Sequence, residues 1–162
     1  MRIIGIDPGS RVTGYGIVDW LGRETGFITC GTIRLQAETD FSRRLLLIFE
    51  GLSEVMAQHR PDVAAVEDLF VAHNVRSALK LGQARGAAVV AAGRLGMDVF
   101  DYTPRKVKET VAGYGQADKS QVQEMVRVLL ELSGLPSADA ADGLAVALCH
   151  AHHLNYAALT AR

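Results

Sequence analysis

The chain is poor in cysteine, in long apolar runs and in signal-like segments, and each shortage excludes a class of protein. Cys30 and Cys149 stand far apart and form no C-x-x-C pair, so we predict free thiols in a reducing compartment. The longest run of apolar and small residues, 86–93, is well short of the roughly 20 residues that span a bilayer. Because Asp7 interrupts the apolar run near the start, no signal peptide is predicted and a cytoplasmic location is expected.

A strong net charge is also missing, since 17 basic and 18 acidic residues leave a formal charge of −1. Taken alone, this near-neutrality argues against a nucleic-acid partner. The charge is unevenly distributed, however, because residues 76–119 hold eight basic and four acidic side chains, a net charge of +4. The remainder is acidic, and bound divalent metal would neutralise part of that acidity.

A length of 162 residues and a hydrophobic fraction of 49% predict a single domain, residues 1–162, with a substantial core. Apolar periodicity predicts alternating strands and helices, and short links between the first three strands predict an antiparallel meander. The predicted strands are a first one ending at Asp7, then 12–20, 27–35, 63–67 and 97–102. The predicted helices are 41–59, 74–95, 105–112, one from 118 or 120 to about 132, and 137–156.

Four carboxylates stand out from this apolar framework. Asp7 and Glu67 each end a short apolar strand, and Asp139 and Asp142 are three apart on the last helix, so that they share one face. If the two strands are neighbours and the helix crosses their ends, all four converge. Oxygen ligands without a Cys/His cluster suit Mg²⁺ or Mn²⁺. Such acids can hold two ions about 4 Å apart, the arrangement that promotes phosphodiester cleavage.

Ordinary structural roles compete with this interpretation. Asp7 is equally explained as the first residue of the turn made by Pro8 and Gly9. An acid near a helix N-terminus is favoured by the helix dipole, which accounts for one member of the helical pair. A metal site at His150, His152 and His153 is not expected, because their spacing fits no common ligand pattern.

Four blocks of the sequence resemble motifs of the RuvC family of Holliday junction resolvases. They span 6–16, 77–86, 118–122 and 138–145 and read IDPGSRVTGYG, SALKLGQARG, DKSQV and ADAADGLA. The blocks occur in the family's order and spacing and cover nearly the whole chain. The resemblance implies an α/β, ribonuclease-H-like fold with a five-stranded mixed sheet, three strands of it antiparallel, and helices on both faces.

The same resemblance implies a function. A homodimer would bind a four-way DNA junction and make two symmetric nicks in strands of like polarity, leaving 5′-phosphate and 3′-hydroxyl ends. The reaction would serve recombination and DNA repair, with the RuvA and RuvB branch-migration complex as the suggested partner. Asp7, Glu67, Asp139 and Asp142 match the family's Mg²⁺ ligands. Two ions per site are expected, and Mn²⁺ is expected to substitute.

Basic and aromatic positions of the family also have counterparts here. Lys119 is expected to stabilise developing charge on the phosphate, and Lys108 to grip the DNA backbone. Phe70 matches an aromatic that inserts at the crossover and stacks on unpaired bases, with a core phenylalanine as the alternative. Further DNA-contact candidates, each equally explained as solvated surface, are Arg76, Lys80 and Arg85.

Three other functions remain in competition. A related single-domain nuclease acting on structured RNA would have a similar fold and similar acids. A kinase or ATPase of the actin type also opens with a strand, an Asp and a Gly-rich turn, but it needs two such domains to enclose ATP. A non-catalytic junction-binding module predicts the loss of one or more metal carboxylates, and all four are present.

Overall fold

The computed structural model describes residues 1–68 and 74–160, and its elements follow the predicted order. The strands are β1 (Arg2–Asp7), β2 (Val12–Trp20), β3 (Thr25–Arg34), β4 (Val63–Glu67) and β5 (Asp98–Tyr102). The helices are α1 (Phe41–His59), α2 (Val75–Arg94), α3 (Pro104–Ala112), α4 (Lys119–Leu129) and α5 (Ala138–Thr160). Most predicted bounds hold to within two residues, whereas α5 continues four residues past its predicted end at Tyr156.

These strands form one five-stranded mixed sheet in the order β3-β2-β1-β4-β5. The first three strands are the predicted antiparallel meander. β4 then pairs parallel to β1, and β5 pairs parallel to β4. Parallel neighbours need a crossover connection, which α1 and α2 supply. The carboxyl ends of β1, β4 and β5 therefore meet at one edge of the sheet.

Both faces of the sheet are covered by helices. Ile3 on β1 packs into a core with α3, α4 and α5, while Ile4 and Ile6 pack into a second core with α1 and α2. Alternate side chains of a strand point to opposite faces, so a strand covered on both sides is apolar at nearly every position. This explains why β1 reads as a run of isoleucines that ends in a carboxylate.

Capping residues fix where the helices begin and end. Asp40, Asn74 and Asp118 accept backbone N–H groups at the starts of α1, α2 and α4. α4 ends at Leu129 although its apolar stripe was predicted to reach Leu132, because Glu131 adopts a left-handed backbone with φ 51°. Leu132 still packs against the core from the following loop. Within the described ranges, no helix has both the length and the apolar character needed to cross a membrane.

Candidate active site

Asp7 and Glu67 end adjacent parallel strands at the same edge of the sheet. Ile6 of β1 is paired with Val66 of β4, so the next residue on each strand brings the two carboxylates side by side. Both side chains are partly buried at the strand tips. The strands beneath them are fully packed, which makes this edge a rigid support for two acids.

The carboxyl groups of Asp7 and Glu67 are hydrogen-bonded to each other, which requires a proton on one of them. Burial raises the pKa of Asp7 to about 6, with the nearby charge of Asp142 as the second cause. Burial likewise raises the pKa of Glu67 to about 8, and the negative charge of Asp7 adds to the effect. Two acids this close in a half-buried site are not both ionised at neutral pH without a cation.

Helix α5 brings Asp139 and Asp142 to the same edge. Its first turn crosses the start of β2 at backbone contact, since a Cβ on Gly14 would collide with the backbone oxygen of Asp139. One turn later, a Cβ on Gly143 would lie 2.5 Å from the Cα of Tyr15. The glycines therefore allow α5 to approach the sheet closely enough for both its acids to act on Asp7 electrostatically.

Lys119, the first residue of α4, lies among these acids. Its Nζ is 3.0 Å from Oδ2 of Asp142, and this hydrogen bond is the main cause that raises the pKa of the lysine. Burial raises the pKa of Asp142, and the bond from Lys119 opposes that rise. Lys108 on α3 lies near enough to favour the charged forms of Asp118 and Asp142. Two cations thus face the acidic edge.

The acids suit a hard divalent cation chemically, because all four offer carboxylate oxygen and partial burial excludes bulk water. Within residues 1–68 and 74–160, no three His, Cys, Asp or Glu side chains are gathered tightly enough to hold a metal ion as they stand. Asp7 is hydrogen-bonded to Glu67, and Asp142 to Lys119. The chemistry of the four carboxylates fits a divalent cation, which would bind them in place of these two hydrogen bonds.

Comparison with known proteins decides the family. The family model described as "Crossover junction endodeoxyribonuclease RuvC" matches residues 3–150. The chain belongs to the RuvC family. It is accordingly an endodeoxyribonuclease of the crossover-junction type, and membership of this nuclease family implies a divalent metal ion.

Relatives in the RuvC family match over nearly the full length. The crossover junction endodeoxyribonuclease RuvC of Geobacter sp. (strain M21) is 54% identical over 159 residues, 98% of this chain and 97% of the relative. That of Halorhodospira halophila is 56% identical over 152 residues, 94% of this chain and 90% of the relative.

Solved structures agree with the family assignment. T. thermophilus RuvC in complex with Holliday junction substrate has a TM-score of 0.89 at 34% identity and covers 97% of this chain and 96% of that one. The yeast mitochondrial Holliday junction resolvase Ydc2, at 12% identity and a TM-score of 0.67, supports the fold alone. The predicted ribonuclease-H-like fold, a five-stranded mixed sheet with helices on both faces, is confirmed.

The expected DNA contacts have different surroundings. Arg76 and Lys80 are exposed on the first turns of α2, where Nζ of Lys80 lies 5.4 Å from the centroid of the Phe41 ring. Arg85 is ion-paired with Asp101 and lies 3.7 Å from a carboxylate oxygen of Asp68. Phe70 lies outside the described residues, so its role stays a prediction.

One residue beside the acids has no counterpart in the sequence predictions. Thr13 is fully buried, and its hydroxyl donates to the carbonyl of Gly9 while accepting the Gly9 amide, at 3.3 and 3.4 Å. This two-way bond fixes the turn that follows Asp7. A polar residue at a strand position that faces a core is the signal that could have identified it from the sequence.

Proposed function

We propose that this chain resolves four-way (Holliday) DNA junctions by two symmetric, metal-dependent nicks in strands of like polarity. The products carry 5′-phosphate and 3′-hydroxyl ends, and the reaction serves recombination and DNA repair. The observation that carries the proposal is the convergence of four acids from β1, β4 and α5 with Lys119 beside them, in a member of the RuvC family. The junction-bound T. thermophilus RuvC, similar over 97% of this chain, supports the substrate.

Asp7, Glu67, Asp139 and Asp142 are the proposed ligands of two Mg²⁺ ions, and Mn²⁺ substitutes for them. The ions supply an activated water and stabilisation of the leaving oxygen. Asp7 is the central ligand, because it is hydrogen-bonded to Glu67 and lies in the field of both helical acids. The strands hold Asp7 and Glu67 rigidly, so the chain itself contributes fixed geometry to the reaction.

The lysines complete the catalytic arrangement. Lys119 stabilises the charge that develops on the scissile phosphate, since its ammonium lies at the edge of the acid cluster. Lys108 grips the adjacent DNA backbone from α3. Arg76 and Lys80 extend the basic surface along α2, and Phe70 stacks on bases at the crossover. Arg85 is retained as a DNA-contact candidate, although its ion pairs hold it against Asp101.

A homodimer is the proposed working unit, because two symmetric nicks need two copies of the site. One face of α2 supports it: Val75, Leu79 and Val90 are 74%, 64% and 60% exposed and lie at helical spacing. On the same face, a Cβ at Gly86 or Gly93 meets nothing within 4 Å. A second copy of this chain, packed against this face, would bury the exposed apolar side chains.

Two further elements of the proposal concern the cellular setting. The dimer receives its junction from the RuvA and RuvB branch-migration complex, in keeping with the family. It works in the cytoplasm, associated with the nucleoid, where the junctions form. These elements rest on the kinship with bacterial RuvC proteins alone.

The test offers a mobile four-way DNA junction and a structured RNA in parallel, with Mg²⁺. We expect wild-type protein to nick the junction at paired positions, and Asp7→Asn to lose nicking by at least about a thousandfold while still binding the junction. Asp98→Asn is the matched control, since this exposed aspartate lies at the opposite end of β5. Preferential RNA cleavage, or near wild-type nicking by Asp7→Asn, would contradict the proposal.

A further inference from the structure

The pairing of Lys119 with Asp142 has a consequence for metal binding. Asp142 is largely buried, with 19% of its side chain exposed, whereas Lys119 is 71% exposed and reaches it from solvent at 3.0 Å. The lysine also acts on Asp7 and Glu67 electrostatically. Its ammonium therefore acts on all four acids that the proposed function assigns to the metal, Asp139 included.

The position of Lys119 is fixed by its helix rather than by the ion pair. Asp118 caps α4 by accepting the Gln121 amide, and the Gln121 side chain accepts the Asp118 amide in return. Ser120 donates a further hydrogen bond to Asp118. This cap holds the Lys119 backbone in place whether or not the side chain is paired. The ammonium alone can then move, over the reach of four methylene groups.

We propose that Lys119 occupies part of the cation site as an internal counter-ion and that divalent metal must displace it from Asp142. The inference rests on the proposed function, because it takes the four acids as the metal ligands. When an Asp142 oxygen binds a metal ion, it loses its hydrogen bond from the Lys119 ammonium. The positive charges of the metal ion and the ammonium also repel each other. Displacement frees the ammonium at the edge where the phosphate of the DNA would lie. Metal loading thus releases the lysine that the reaction needs.

The expected effect on affinity is moderate. The lysine is mostly exposed, and solvent screens exposed pairs, so removing it should tighten Mn²⁺ binding by about three- to tenfold rather than by orders of magnitude. Lys119→Met removes the charge and keeps most of the apolar stem. Lys119→Arg keeps the charge, so its Mn²⁺ affinity should stay within about twofold of wild type.

The experiment measures Mn²⁺ binding to the DNA-free protein by calorimetry for wild type, Lys119→Met, Lys119→Arg and Lys106→Met. Lys106 is the control, because it is an exposed lysine on α3 beside Cys149 and outside the acid cluster. Pulsed acetylation of the wild type, read by mass spectrometry, gives a second readout. Adding Mg²⁺ should raise the labelling rate of Lys119 and leave that of Lys106 unchanged.

The outcomes separate this inference from the proposed function. Tighter Mn²⁺ binding by Lys119→Met alone, with metal-stimulated labelling of Lys119, supports the displacement. Normal Mn²⁺ binding that is unchanged or weakened by Lys119→Met would overturn the displacement and leave the metal site standing. Failure of every variant to bind Mn²⁺, with or without junction DNA, would overturn both.

Discussion

At the scale of single residues, the pair of acids at the strand tips lowers the stability of the metal-free protein. Asp7 and Glu67 are held together in partial burial, and their negative charges repel each other when both are ionised. A cation would turn this repulsion into attraction. In the metal-free protein this repulsion lowers the free energy of unfolding, so removing one of the two charges should stabilise the fold.

Glu67→Gln should stabilise the metal-free protein at neutral pH. The pKa of Glu67 is about 8 in the folded protein and about 4.5 in the unfolded chain. Between these two pH values, folding is therefore accompanied by the uptake of a proton. Wild-type stability therefore falls as pH rises from about 4.5 to 8, and glutamine removes this dependence. We expect a gain of about 2 kcal/mol at pH 7.5 in EDTA, measured by urea unfolding.

Glu54→Gln is the control for that measurement, because Glu54 is exposed on α1 and is not among the groups that shift the pKa of Asp7 or Glu67. Its unfolding midpoint should match the wild type at every pH. If the two substitutions shift stability equally, or if Glu67→Gln is destabilising in EDTA, the repulsion between Asp7 and Glu67 is not the dominant cost.

His150 gives the opposite dependence on pH. It is 1% exposed, its Nδ1 lies 2.7 Å from the Tyr102 hydroxyl, and its ring packs on Phe100 at 4.5 Å between centroids. Burial lowers the pKa of His150 to about 4, with His153 as the second cause. His150 therefore becomes protonated below about pH 6.5 in the unfolded chain but only below about pH 4 in the folded protein. Stability falls as the pH falls through this window.

We predict that His150→Phe flattens the pH dependence of stability between about pH 6.5 and 4. The wild type should lose about 2 kcal/mol on going from pH 6.5 to 5 through this histidine, and the variant should not. The readout is the difference in slope, so a constant loss from repacking does not affect it. His152→Phe, at an exposed position of α5, should keep the wild-type slope. Equal slopes for all three proteins would exclude His150 as the titrating group.

At the scale of elements, the position of α5 depends on glycines, which have no side chain to separate the helix from the sheet. Gly5, Gly14 and Gly16 on the sheet and Gly143 on α5 let the helix touch the strands at backbone distance. Glycines inside a strand permit the close approach of another element, and β2 carries two of them, Gly14 and Gly16. The sequence does not identify α5 as the partner, because the contact joins positions about 130 residues apart.

Gly143→Ala should impair cleavage far more than folding. The new methyl group would meet the backbone of Tyr15, so α5 must move away and take Asp142 with it. Displacement of about 1 Å costs roughly a hundredfold in rate, and overpacking costs about 1–3 kcal/mol in stability. Single-turnover nicking and urea unfolding measure the two effects.

The matched control for that substitution is Gly134→Ala, because a Cβ at this position in the loop between α4 and α5 meets nothing within 4 Å. It should fold about as stably as the wild type and nick at the wild-type rate. Wild-type nicking by Gly143→Ala would show that α5 does not set the geometry of the acids.

At the scale of the whole molecule, local sequence pattern predicted the order of strands and helices and the antiparallel meander, whereas the mixed sheet with helices on both faces was implied by the resemblance to the RuvC family. β1 and β4 are short, apolar and terminated by carboxylates, so local pattern was enough to predict that Asp7 and Glu67 end their strands. Side-chain contacts between distant elements could not be predicted, because they depend on three-dimensional packing. The Lys119–Asp142 bond joins two helices through a side-chain rotamer, and the contact of Arg85 with Asp101 joins α2 to β5. No periodicity in the chain encodes either one.

Two symmetric nicks require two copies of the site, so we predict that disrupting the dimer abolishes paired cleavage. Leu79→Glu places a charge at the middle of the exposed apolar face of α2, where a second copy would have to bury it. We expect sedimentation to show a monomer at concentrations where the wild type is a dimer. Paired nicking should fall by at least tenfold, because one bound copy cuts one strand. Leu21→Glu is the control, since Leu21 is 68% exposed in the turn between β2 and β3, away from α2. If Leu79→Glu remained dimeric, another surface would have to carry the association, whereas the carboxylate site would be unaffected.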